Sequence, residues 1–184
     1  MLQSALKTND ELIKQTGDVR ALYNSAADYA LLGEADKAIL SLKTALEKGF
    51  DRYHIIAEDS DMDTVRDDPR FKELFKNRYT DIVVKYRGLV ETGDSTPQDF
   101  HVLAWIQLFS GDPTKVNDGI EYARRALLSE PKNPAYLGTS AQLYAAAGNR
   151  AAALEAVKAM IEKDPSRVYF VALRKSWERK TRAR

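Results

Sequence analysis

Between Pro134 and Pro165 apolar residues recur every three or four positions in two blocks. Leu137, Ala141 and Tyr144 share one face of the first block. Ala152, Ala153, Ala156, Val157, Met160 and Ile161 make one stripe of the second. Gly148-Asn149 between them suits the left-handed conformation that closes a helix. Pro165 stops the second block, because proline lacks the backbone N–H and clashes with the preceding turn. The pattern predicts a hairpin of two short amphipathic helices. Neither helix buries its stripe alone, so the hairpin requires neighbours of its own kind.

The same periodicity predicts helices along the rest of the chain. Leu2, Ala5, Leu6, Leu12 and Ile13 place an amphipathic helix before Gly17-Asp18, either an N-terminal cap or the second helix of a repeat begun upstream. Asp18 caps a helix that runs to about Leu32, and Ala35 to Lys48 forms its partner with Ala38, Leu42 and Ala45 inward. Residues 51–95 depart from this rhythm. Asp68-Pro69 reads as a helix start. Phe71, Leu74 and Phe75 continue into Ile82, Val83, Tyr86, Leu89 and Val90, which predicts one long or kinked helix from about Arg70 to Glu91. Asp94-Ser95-Thr96-Pro97 starts another helix, which reaches Phe109 and is apolar enough to be the most buried in the chain. Past Pro165, Val168, Tyr169, Ala172, Leu173 and Ser176-Trp177 predict a closing helix with a polar outer face.

Three segments share this layout and resemble the tetratricopeptide repeat, a helical hairpin of about 34 residues. In Pro134–Arg167, Leu137 stands at the family's Trp position and Ser140-Ala141 at Leu-Gly. Tyr144, Ala153, Val157 and Pro165 match its Tyr, Ala, Phe and Pro. In Val19–Arg52 the matching residues are Leu22, Ser25-Ala26, Tyr29, Ala38 and Leu42, with Gly49-Phe50 replacing the usual Asp-Pro. In Pro97–Asn133 they are Phe100, Leu103-Ala104, Gly119, Ala123 and Pro131, with three extra residues in the turn around Asp112-Pro113-Thr114. The stretch from Asp61 to Leu74 resembles a segment that often ends such arrays. The resemblance implies an all-α fold, a right-handed helical-hairpin solenoid with an irregular middle segment at 53–96 and a capping helix with a basic tail at 168–184. A single domain over 1–184 is the more economical reading. Two lobes, Met1–Asn77 and Tyr79–Arg184, are the alternative.

Composition supports the all-α expectation. Alanine is abundant, glycine and proline are few, and apolar residues at 44% with charged ones at 30% suit a folded soluble chain. No cysteine is present, which removes disulfides, thiolate metal sites and a cysteine nucleophile. That absence is compatible with the cytoplasm, the favoured compartment, and with an exported one. No leader-like apolar core and no apolar run of membrane length is seen. Charge is uneven: residues 167–184 hold seven Lys/Arg against Glu178, a local +6, and leave −5 for the preceding residues.

Candidate chemistry is sparse. Asp59, Asp61 and Asp63 imitate the opening of a calcium loop, but Thr64 and Arg70 stand where Gly and Glu are needed, so a solvated acidic turn is expected. His54 and His101 are far apart in sequence, and neither a nucleophile elbow nor a phosphate-cradling loop occurs. No catalytic residue, metal, cofactor or small-molecule substrate is expected. The basic tail, Arg174-Lys175 and Arg179 to Arg184, reads first as a helix end complementing the dipole and secondarily as a phosphate-binding segment.

The resemblance implies a non-enzymatic adaptor that binds a peptide or partner helix in a concave groove. The alternatives are a regulatory or docking domain of a larger enzyme or secretion complex and, more weakly, an RNA-associated scaffold. Family matching places His101, Trp105 and Leu108 on the groove strip, facing Tyr23, Ala27 and Ala30 on one side and Gly138, Gln142 and Ala145 on the other. The candidate partner-binding residues are therefore Tyr23, Asn24, His101, Trp105, Leu108 and Gln142. Trp105 has a second reading, as core covered by the irregular segment or the closing helix. Of the positions that grip a C-terminal carboxylate in similar repeats, Asn24 alone carries a fitting side chain, so chaperone-tail capture is not expected.

Overall fold

The structure, a computed structural model, describes residues 2–182, with side chains to Arg179. Among the described residues it contains α-helices joined by short turns, and no strand. The chain divides into two compact units, Met1–Leu74 and Phe75–Arg184.

In the first unit, α1 (Leu2–Thr16) packs on α2 (Val19–Leu31), and α2 pairs with α3 (Ala35–Glu47). Asp18 caps α2 by accepting from the Arg20 N–H at 2.8 Å. Gly33 closes α2 at φ 75°, and the next N–H, of Glu34, reaches back to the Tyr29 carbonyl. Ala38, Leu42 and Ala45 are buried, as their spacing predicts. On α1 the expected apolar face is only half covered: Leu2, Leu6 and Ile13 are half-buried, while Ala5 and Leu12 remain exposed. The irregular segment forms a short helix α4 (Tyr53–Glu58), a 3-10 turn (Ser60–Thr64) and α5 (Pro69–Lys76). Its 3-10 turn lies on α2, where the Thr64 hydroxyl donates to the Ala30 carbonyl at 3.0 Å.

The long helix expected from Arg70 to Glu91 is instead two helices, α5 and α6 (Tyr79–Thr92). Asn77-Arg78 breaks them, with Arg78 at φ −105° and ψ 2°. Phe75 and Ile82 are seven residues apart, two helical turns, so the stripe stays in phase across the break and periodicity cannot reveal it.

In the second unit, α6 packs on α7 (Pro97–Ile106), which pairs with α8 (Lys115–Ser129). Next, α9 (Pro134–Ala146) pairs with α10 (Arg150–Lys163), and α11 (Val168–Arg182) closes against α10. Thr96 and Asp99 complete a capping box at the start of α7. The α-helix ends at Ile106, three residues before the expected point, and Gln107–Phe109 continues as a 3-10 turn. Every residue from His101 to Gln107 is buried.

Two glycines mark where elements touch most closely. A Cβ on Gly119 of α8 would stand 2.7 Å from Leu143 of α9 and 3.0 Å from Gln107. A Cβ on Gly138 of α9 would stand 2.6 Å from the Phe170 ring of α11. Phe170 thus sits directly on the α9 backbone, in a cluster with Ala141, Val157 and Met160 that Leu173 and Trp177 extend.

Ala38 and Ala153, both fully buried on second helices, should not tolerate bulk. Ala38→Leu and Ala153→Leu should each destabilise by about 1–3 kcal/mol through overpacking, and thermal melts read the loss. Unchanged melting points for both would contradict this packing register.

Candidate partner-binding surface

The six sequence-predicted residues fall into two groups. Tyr23, His101 and Trp105 are interior, whereas Asn24 is exposed and Leu108 and Gln142 are half-buried.

Tyr23 on α2 is 4% exposed, and its ring stacks on Phe50 at 4.6 Å. Its hydroxyl donates to Asp59 Oδ2 at 2.6 Å. Burial, reinforced by the Asp59 carboxylate, pushes the Tyr23 phenol far above its ordinary pKa, so it stays a donor. Asp59 also accepts from the Asp61 N–H at 2.9 Å and so starts the 3-10 turn. Nearby, Arg66 is buried and pairs with Asp63 at 2.8 Å. The Arg66 guanidinium also donates to the carbonyls of Ile56, Ala57 and Asp59. It therefore ties the end of α4 to the turn that follows.

These contacts revise the expectation of a solvated acidic turn. Half-buried Asp59 and buried Asp63 serve as hydrogen-bond acceptors, and among the described residues no group of three His, Asp or Glu side chains is arranged to hold a metal ion. The sequence contained one overlooked signal. Arg66 lies three residues after Asp63 inside an otherwise acidic run, the spacing of a local ion pair.

His101 on α7 is fully buried. Its Nε2 is hydrogen-bonded to Thr139 Oγ1 of α9 at 2.8 Å, and its ring lies 4.6 Å from Tyr136. Trp105, one turn further on, is 3% exposed. Phe75 at the end of α5 meets its ring at 4.7 Å and Phe109 at 4.9 Å, both edge-on. The irregular segment supplies the cover, as the second reading of Trp105 expects. The groove strip is therefore corrected: Tyr23, His101 and Trp105 face neighbouring helices, because each has an aromatic or polar partner waiting in the adjacent element. Leu108 packs beside Ala104, Ala123 and Leu143. The carboxylate-gripping positions fare alike, since Ala27, Val102, Gly138 and Thr139 are also buried.

What remains accessible among first-helix positions is small. On α9, Ala135, Gln142 and Ala146 lie at i, i+7 and i+11, one strip of the helix, with Ala146 exposed and the other two half-buried. On α2, Asn24 is exposed, whereas Thr139, its equivalent in the repeat register, is buried. Tyr79 donates to Gln107 Oε1 at 2.7 Å, and Arg87 donates to the Tyr122 hydroxyl at 3.1 Å, which joins α6 to the elements beside it.

A scan against models of known protein families gives no match, and no curated protein matches the sequence. No helix among the described residues is long and apolar enough to cross a membrane.

Removing Asp63 should strand a buried guanidinium. Asp63→Ala is expected to cost about 3 kcal/mol in denaturant unfolding, with the loss confined to the unit that contains it. A change below the error of the measurement would mean that Arg66 is solvated.

Proposed function

We propose that this chain is a non-catalytic interaction scaffold of tetratricopeptide type, a right-handed array of helical hairpins that binds a protein or peptide partner. One observation carries the reading: at three sets of positions that the repeat pattern makes equivalent, the residues are buried in all three segments. Ala26, Ala104 and Ala141 are buried on the first helices. Ala38, Gly119 and Ala153, then Leu42, Ala123 and Val157, are buried on the second helices. Threefold agreement at small and apolar positions is what stacked hairpins require, since each must accept the next at close range.

The partner contacts the strip of first-helix residues left open. In the second unit this is Ala135, Gln142 and Ala146, whose small side chains leave room for an apolar side chain or a short helix. Gln142 supplies a donor and an acceptor for partner backbone.

The test is affinity capture from source-cell extract, followed by mass spectrometry, with the full chain and with Gln142→Arg/Ala146→Arg. The expected outcome is a stoichiometric partner captured by the unaltered chain and lost with the variant, at unchanged helicity and melting point. Equal capture by both proteins would contradict this surface.

A further inference from the structure

The closing helix combines a fixed position with a concentrated positive charge. Residues 167–184 carry seven Lys/Arg and one Glu. Two of these cations belong to the structure itself. Arg167 is buried with its guanidinium 5.2 Å from the Phe170 ring centroid, and Arg174 faces Glu178 at 3.6 Å, one turn along. Lys175 and Arg179 are different. Both are exposed, and among the described residues neither makes an ion pair. They extend the stripe begun by Val168, 75% exposed, and Ala172, at i, i+4, i+7 and i+11. The opposite side of α11 is held by Phe170 on Gly138 and by Leu173 and Trp177. The cations therefore stand on an anchored ridge.

We infer that this ridge on α11 docks an acidic polypeptide segment, the partner class for the scaffold reading on which the inference rests. Charge complementarity selects an anionic occupant. Two further observations select polypeptide among anions. Trp177 packs against the core cluster, so no exposed aromatic platform lies beside the cations for nucleic-acid bases to stack on. Of the four stripe residues only Val168 is apolar and larger than alanine, too little for insertion into lipid.

Fluorescence anisotropy of labelled poly-glutamate with the full chain tests the inference. A single-stranded RNA with the same dye, and vesicles of phosphatidylserine in phosphatidylcholine, serve as rival anions. Poly-glutamate should bind more tightly than either rival, weaken as salt rises, and lose about tenfold in affinity in Lys175→Glu/Arg179→Glu. Circular dichroism should show that variant to be folded. Three results would overturn the inference: no binding of poly-glutamate, equal binding by the charge-reversed variant, or tighter binding of RNA or vesicles. Partner capture that persists while poly-glutamate fails removes only the α11 site. Poly-glutamate binding with no captured partner removes the scaffold reading instead.

Discussion

Close approach of neighbouring helices at very small residues is the constraint on which the packing depends. Gly119 lets Leu143 and Gln107 come within 3.0 Å of where a Cβ would stand, and Gly138 does the same for the Phe170 ring. Fully buried Ala38 and Ala153 hold the corresponding place on their own hairpins. At such separations the larger side chains beside them, Leu42 and Val157, lose all contact with water. Each is worth about 1.5–3 kcal/mol when fully buried. Helices of ten to fifteen residues, such as α7 and α8, gain little from propensity alone. Their stability comes from neighbours, and the small residues set how near those neighbours stand.

The same closeness explains why Tyr23, His101 and Trp105 of the first helices are interior. His101 and Thr139 lie within hydrogen-bonding distance across α7 and α9. Phe75 and Phe109 fill the space over Trp105. In the other unit Phe50 and Asp59 do this for Tyr23, one by stacking and the other by accepting its hydrogen bond. The proposed contact surfaces are instead the thin strip on α9 and the outer face of α11.

Much of the helix pattern was legible in the residues. The turns at Gly33 and Gly148, both at positive φ, and the caps at Asp18 and Thr96 stand where local rules place them. Buried alanines at helical spacing gave the inward faces of α3 and α10. The irregular segment was less legible, for two physical reasons. The α5–α6 break preserves the phase of the apolar stripe, so only Asn77 hinted at it. The Arg66 knot is made of side-chain donations to three backbone carbonyls seven to ten residues earlier, which no periodicity records. The binding strip failed for a related reason. A helical wheel tells which residues share a face but not whether another element covers that face, and at Trp105 the cover is an aromatic ring thirty positions earlier in the chain.

Displacement of the binding surface rests on Trp105 being interior, and its own fluorescence measures that directly. In a Trp177→Phe variant, Trp105 is the remaining indole. The arrangement of Phe75, Trp105 and Phe109 predicts blue-shifted emission and little quenching by acrylamide in the native protein, both changing together on unfolding. Red emission with strong quenching in the folded variant would contradict it and return Trp105 to the surface.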